Sequence, residues 1–157
     1  MQAGWGNWVL DASTEWKLVH HPECLTLELL DRGALQFSSA TRRSGRVDHA
    51  ELQRVAARLN DGWGSAEAVM CGDFSGLLFS YVDNEGINWR RWFLGRGSIL
   101  LFVTYTAKTL ISTADEQLIQ STLDTLRVST KADKFSLVRR GIAALRIFSG
   151  GNGSSGG

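Results

Sequence analysis

No stretch of this 157-residue sequence is apolar for the roughly 18 to 20 residues a membrane-spanning helix needs; the longest candidate is 98–105. Cysteine is scarce: Cys24 and Cys71 stand far apart and in no CxxC pair. The N-terminus lacks the basic, apolar, small-residue order of a secretion signal, so reduced thiols in a cytoplasmic protein are expected. Neither a disulfide framework nor a metal staple is required at this length, because such a chain buries roughly two thirds of its unfolded surface around its own core. A composition of 43% hydrophobic and 21% charged residues is that of a folded chain, not a disordered one.

Bulk charge of one sign is also missing, since the net value is +1. Its distribution is uneven. Residues 127–157 hold six of the 17 basic residues and one of the 16 acidic ones, which leaves −4 on the body (11 basic, 15 acidic) and +5 on the tail. The body's charge disfavours bulk attraction to nucleic acid; the tail's charge would allow it, but its basic residues lack the aromatic interleaving of an RNA or DNA reader, and no nucleic-acid partner is expected.

Periodicity supplies the elements. Trp5 and Trp8, set between glycines, predict a partly ordered lead-in over an edge of the core. From Glu15, Trp16, Leu18 and His20 alternate with Lys17 and Val19 until Pro22 stops the strand. Leu25, Leu27 and Leu29 share one face of a second strand, and the turn Asp31-Arg32-Gly33 feeds a third over 34–41. Leu52, Val55, Ala56 and Leu59 form one stripe of a helix over 48–60, with Asp48 and Glu51 as a capping box.

A three-strand meander is expected next: 66–71 or 74–82, then 87–94, then 98–106, with turns at 83–86 and 95–97. Residues 99–103 are apolar on both faces, which predicts a central strand covered on both sides. Thr113 and Glu116 form a second capping box, opening a helix striped by Ile119, Leu123 and Leu126. A third, basic helix is expected over 131–149 and a disordered Gly/Ser tail over 150–157. The fold class is therefore α+β: one domain over 1–130, an antiparallel β-sheet flanked by two amphipathic helices, plus the C-terminal basic helix.

The order strand, hairpin, helix, antiparallel meander, helix resembles the Mog1/PsbP-like superfamily, with its bacterial DcrB-like and secretion-chaperone relatives. The residues that carry the likeness are Gly33-Ala-Leu-Gln-Phe-Ser-Ser39, the step from Trp89-Arg-Arg-Trp92 through Leu94 to Gly97, and Thr104-Tyr-Thr106, within a stretch from about Trp16 to Val128. Known members are Ran-binding factors, photosystem assembly subunits or effector chaperones. The resemblance thus implies binding of another protein and no catalysis, and the chain departs from the exported members in lacking a signal peptide.

Catalytic and metal-ligating patterns are sparse. His20, His21 and Cys24 lack a second ligand cluster, and adjacent histidines on a strand point to opposite faces, so they read as polar turn residues. Cys71 with Asp73 and His49 makes a site only if the fold brings them together, and Val69-Met70 before Cys71 suggest a buried thiol. Gly62-Trp63-Gly64 and Gly95-Arg96-Gly97 lack the continuation of a phosphate loop. Asp83 and Glu85 sit at a hairpin tip, too exposed for a general acid. No cofactor and no metal is implied.

Six tryptophans are many for this length. Alternation puts Trp89, Arg91 and Phe93 on one strand face and Arg90, Trp92 and Leu94 on the other, so one face is core and the other offers an aromatic beside an arginine. Trp and Arg dominate interface hot spots, and Trp89, Arg90, Arg91 and Trp92, with Trp63, form the expected partner-binding site. Lys131, Lys134, Arg139, Arg140 and Arg146, around Phe135, Val138, Ile142, Leu145 and Phe148, make a basic amphipathic segment suited to an acidic partner or an anionic membrane. The leading expectation is a non-enzymatic protein-binding module of chaperone, adaptor or toxin-immunity type. The alternatives are peripheral membrane association through 131–148 and a small enzyme built on His49, Cys71 and Asp73.

Overall fold

A computed structural model describes residues 1–130. The expected basic helix and Gly/Ser tail lie outside the described residues. Ten strands and two helices follow one another as β1 (Gln2–Trp5), β2 (Trp8–Asp11), β3 (Lys17–His20), β4 (Leu25–Leu29), β5 (Gly33–Thr41), α1 (His49–Asn60), β6 (Ala66–Cys71), β7 (Phe74–Val82), β8 (Asn88–Arg96), β9 (Ile99–Ala107), α2 (Thr113–Leu123) and β10 (Arg127–Val128). Seven form one sheet in the order β3-β4-β5-β9-β8-β7-β6, with every neighbouring pair antiparallel. The chain is α+β, as its periodicities require. The meander has four strands rather than three, because 66–71 and 74–82 both pair, joined by the tight turn at Gly72 and Asp73.

β9 occupies the middle of the sheet, pairing with β5 on one side and β8 on the other. Leu101, Val103 and Tyr105 point to one face and Leu100 and Phe102 to the other, so a strand apolar on both faces sits where both are covered. The first face carries Leu25, Leu27, Leu35, Phe37, Trp92 and Leu94 into the main core. Over it lie α2, through Ile119 and Leu123, and a second sheet of order β1-β2-β10. That sheet takes up the N-terminal lead-in: Trp5 and Trp8 are buried core residues, 2% and 0% exposed, and Trp8 stacks on Phe37 with centroids 5.3 Å apart.

The opposite face carries a smaller core, where Leu52 and Ala56 of α1 pack on Leu77 and Phe93. Asp48 caps α1 by accepting from the Glu51 N–H at 2.8 Å, but the Glu51 carboxylate pairs with Arg42 instead of closing the box. Leu59 leaves the predicted stripe and is exposed, the buried positions of α1 being Leu52, Ala56 and Asn60. For α2 the cap is Ser112 rather than Thr113, its Oγ accepting from the Asp115 N–H at 3.0 Å. That one-residue shift turns Asp115 inward, where its Oδ1 meets Arg32 Nη1 at 2.9 Å. Gly33 opens β5 where a Cβ would lie 2.4 Å from the Tyr105 hydroxyl, so only glycine lets β5 approach β9 there.

Candidate partner-binding face

The pleat of β8 decides which predicted residues reach the surface. Trp92 points into the main core and is 3% exposed, which corrects its expected place in a binding surface. Arg90 shares that face at the rim of α2, where its Nη2 bonds Glu116 Oε1 at 2.8 Å. It is therefore neutralised and separated by the sheet from its neighbour Arg91. Trp89 and Arg91 face the α1 side, beyond the helix's C-terminal end, and both are half-buried.

Antiparallel register lines Trp89 up with Tyr81 of β7, and the two rings lie 6.1 Å apart and 11° from parallel. Trp63 continues the row, its ring 5.1 Å from that of Tyr81 and 26° from parallel. The end of α1 holds Trp63 in place: Asp61 takes the left-handed conformation at φ 48°, Gly62 follows at φ 78°, and the chain doubles back. Asn60, 2% exposed, accepts from the Trp63 N–H at 3.0 Å through its carbonyl and donates to the Trp63 carbonyl through Nδ2.

Arg91 lies over this row. Its guanidinium carbon is 4.8 Å from the Trp89 ring centroid and 5.9 Å from those of Tyr81 and Phe102, within cation–π range of all three. Nη1 donates to the Leu59 carbonyl at 3.1 Å, while the buried Nε has no partner among the described residues. Nor does any carboxylate among the described residues form an ion pair with Arg91. Asp83, which reaches the Trp89 end of the row, is engaged elsewhere. Its Oδ2 accepts from Trp89 Nε1 at 2.9 Å, and its Oδ1 accepts from the N–H groups of Glu85 and Ile87.

Those bonds, the Trp89 one first, hold the Asp83 carboxyl below its ordinary pKa, the reverse of what a general acid requires. Burial raises the Tyr81 phenol, with Arg91 opposing and Asp83 adding to the effect. The arrangement is an aromatic row crossed by a cation that has no carboxylate partner among the described residues. It can accept an acidic group on the guanidinium beside an apolar or planar group on the rings.

Sequence reasoning placed Trp63, Trp89 and Arg91 at this face and missed Tyr81, Phe102 and Asp83. The first two join it through cross-strand register, which no local pattern displays. Asp83 had a local signal: an acid at a hairpin tip, able to accept from the backbone two and four residues on, just before a tryptophan.

The other candidates do not assemble. Cys71 is in the main core, where burial, then the charge of Asp124, pushes its thiol up to about 12. His49 begins α1 on the opposite side of the sheet, and Asp73 is exposed in the β6–β7 turn, so the three do not converge. His20 and His21 are exposed, and Cys24 Sγ accepts from Gln36 Nε2 at 2.9 Å. Among the described residues no group of three or more His, Cys, Asp or Glu side chains could hold a metal ion, and no helix is long and apolar enough to cross a membrane. Lys131, Lys134, Arg139, Arg140 and Arg146 lie outside the described residues.

No family model matches the chain, and no curated protein resembles it in sequence. Solved structures do share its fold. A crystal structure from Bacteroides thetaiotaomicron superimposes with a TM-score of 0.58 at 15% identity, over 82% of this chain and 50% of that one. The chain thus spans about half the length of that protein, and the likeness is one of fold alone.

Proposed function

We propose that this chain is a cytoplasmic, non-enzymatic protein-binding module that docks through the Trp63–Tyr81–Trp89 row and Arg91. The observation that carries the reading is Arg91 itself. A half-buried guanidinium laid across three rings, with no carboxylate paired to it among the described residues, supplies a cation and lacks an anion. A partner's aspartate or glutamate supplies what is missing, and the rings add the aromatic anchor on which interface hot spots are built. The Mog1/PsbP-like resemblance of the sequence points to the same class, and a chaperone, adaptor or immunity role is the form such binding would take.

Quantitative affinity capture tests the assignment, with thermal unfolding of each variant as a control. Arg91→Ala and Trp89→Ala are expected to lose a partner that the unaltered chain retains, while Arg90→Ala, on the opposite face, keeps it. If both former variants hold every partner at full strength, the site is wrong.

A further inference from the structure

The two outer strands of the large sheet meet solvent differently. β3 is four residues long, opens on exposed Lys17 and ends just before Pro22, the short, charged, proline-stopped edge that discourages strand addition. β6 runs six residues, Ala-Glu-Ala-Val-Met-Cys, with one charge and no proline. Ala66, Glu67 and Ala68 are exposed, and Met70 is 68% exposed.

β6 and β7 are joined by the two-residue turn Gly72-Asp73, with Gly72 at φ 60°. In such a hairpin the flanking pair, here Cys71 and Phe74, exchanges both backbone hydrogen bonds. The backbone groups of Cys71, Val69 and Glu67 are therefore turned to β7, and those of Met70, Ala68 and Ala66 are turned outward. Among the described residues no strand pairs with that outer side.

A trough borders the edge on each face. Between α1 and β6–β7 lies one of about 340 Å³, lined by Val47, His49, Leu52, Ala68, Met70 and Ser75. On the α2 side lies one of about 420 Å³, with Leu78 and Trp92 among its apolar lining and Glu67, Glu116 and Gln120 among its polar lining. Glu116 is matched by Arg90, whereas Glu67 has no ion-pair partner among the described residues. The first trough is apolar apart from His49 and Ser75. The second carries an unmatched negative charge.

We infer that β6 is a docking edge for an extended peptide strand whose alternate residues are apolar toward α1 and lysine or arginine toward α2. Backbone hydrogen bonds to Ala66, Ala68 and Met70 supply the affinity, and the two troughs read alternate side chains. A second copy of β6 is a poorer occupant, since it brings Glu67 only another carboxylate on the same face. This edge is distinct from the Arg91 site, and the two stand or fall separately.

The test uses the full chain and a fluorescein-labelled peptide alternating valine and lysine, followed by fluorescence anisotropy. Saturable binding is expected, weakened roughly tenfold or more when alternate peptide amides are N-methylated, because each methyl removes a ladder donor. Ala68→Pro is expected to weaken binding to the same degree. The N–H at 68 points outward, so proline there spares the β7 ladder. Glu67→Lys is expected to shift preference to a peptide alternating valine and glutamate, and Arg91→Ala to leave binding unchanged.

Equal binding of the N-methylated peptide to the unaltered chain overturns the proposal, even if Ala68→Pro does not fold. Unchanged preference in Glu67→Lys overturns the charge assignment. A concentration-dependent doubling of mass in light scattering, abolished by Ala68→Pro, would give the edge to a second copy instead.

Discussion

Trp89 and Trp92 stand three residues apart on one strand and live in different environments. Trp92 meets a face closed by a second sheet and a helix and is 3% exposed, only an edge of it reaching the α2-side trough. Trp89 meets a face that α1 covers only in part, so its ring is stacked, bonded to Asp83 and still half open. The difference lies in the layer above each ring and owes nothing to the residue type. A tryptophan-rich strand thus supplies a core and the proposed binding face at once, each with its own arginine: Arg90 paired with Glu116, and Arg91 left without a carboxylate among the described residues.

The comparison breaks most visibly at Trp92. Trp92→Ala is expected to cost about 3–5 kcal/mol in urea unfolding, as for other buried aromatics. Trp89→Ala is expected to cost about 1–2 kcal/mol, since a half-buried ring and one charge-assisted hydrogen bond are lost. Equal costs for the two would erase the distinction between the faces.

The smallest effect concerns pH. The Asp83 carboxyl is held below its ordinary value of 3.8 by its hydrogen bonds, Trp89 first, so its stabilising contribution is full above that value. It is lost as the pH falls through the lower folded value. The stability difference between the unaltered chain and Asp83→Asn should be flat at neutral pH and shrink in acid below 3.8. A difference that widens in acid would contradict the bond to Trp89.

Some of this was legible in the residues. The central place of β9 followed from apolar residues on both of its faces, and α1 from its stripe and from Asp48. Alternation on β8 separated Trp89 from Trp92 but could not say which faced the core, because that depends on what packs above each face. β1 and β2 were harder to read, being four residues each and broken by Gly4 and Gly6, too short for a period to show. The Ser112 cap was one residue from the predicted Thr113 because Ser-Thr offers two hydroxyls, and the buried partnership of Asp115 with Arg32 favours the first. Tyr81 and Phe102 entered the proposed binding face only through register.

Trp16 Nε1 donates to Thr122 Oγ1, Asp11 N–H to Thr125 Oγ1, and Ser129 Oγ to the Gly6 carbonyl, while β10 pairs with β2. The hydrogen bonds that seal the first sixteen residues are thus drawn largely from residues 122–129. On a chain made from its N-terminus, β2 and Trp16 are made long before this segment, so the small sheet cannot close until 122–129 has left the ribosome. The first strands of the chain are thereby among the last to be locked in place.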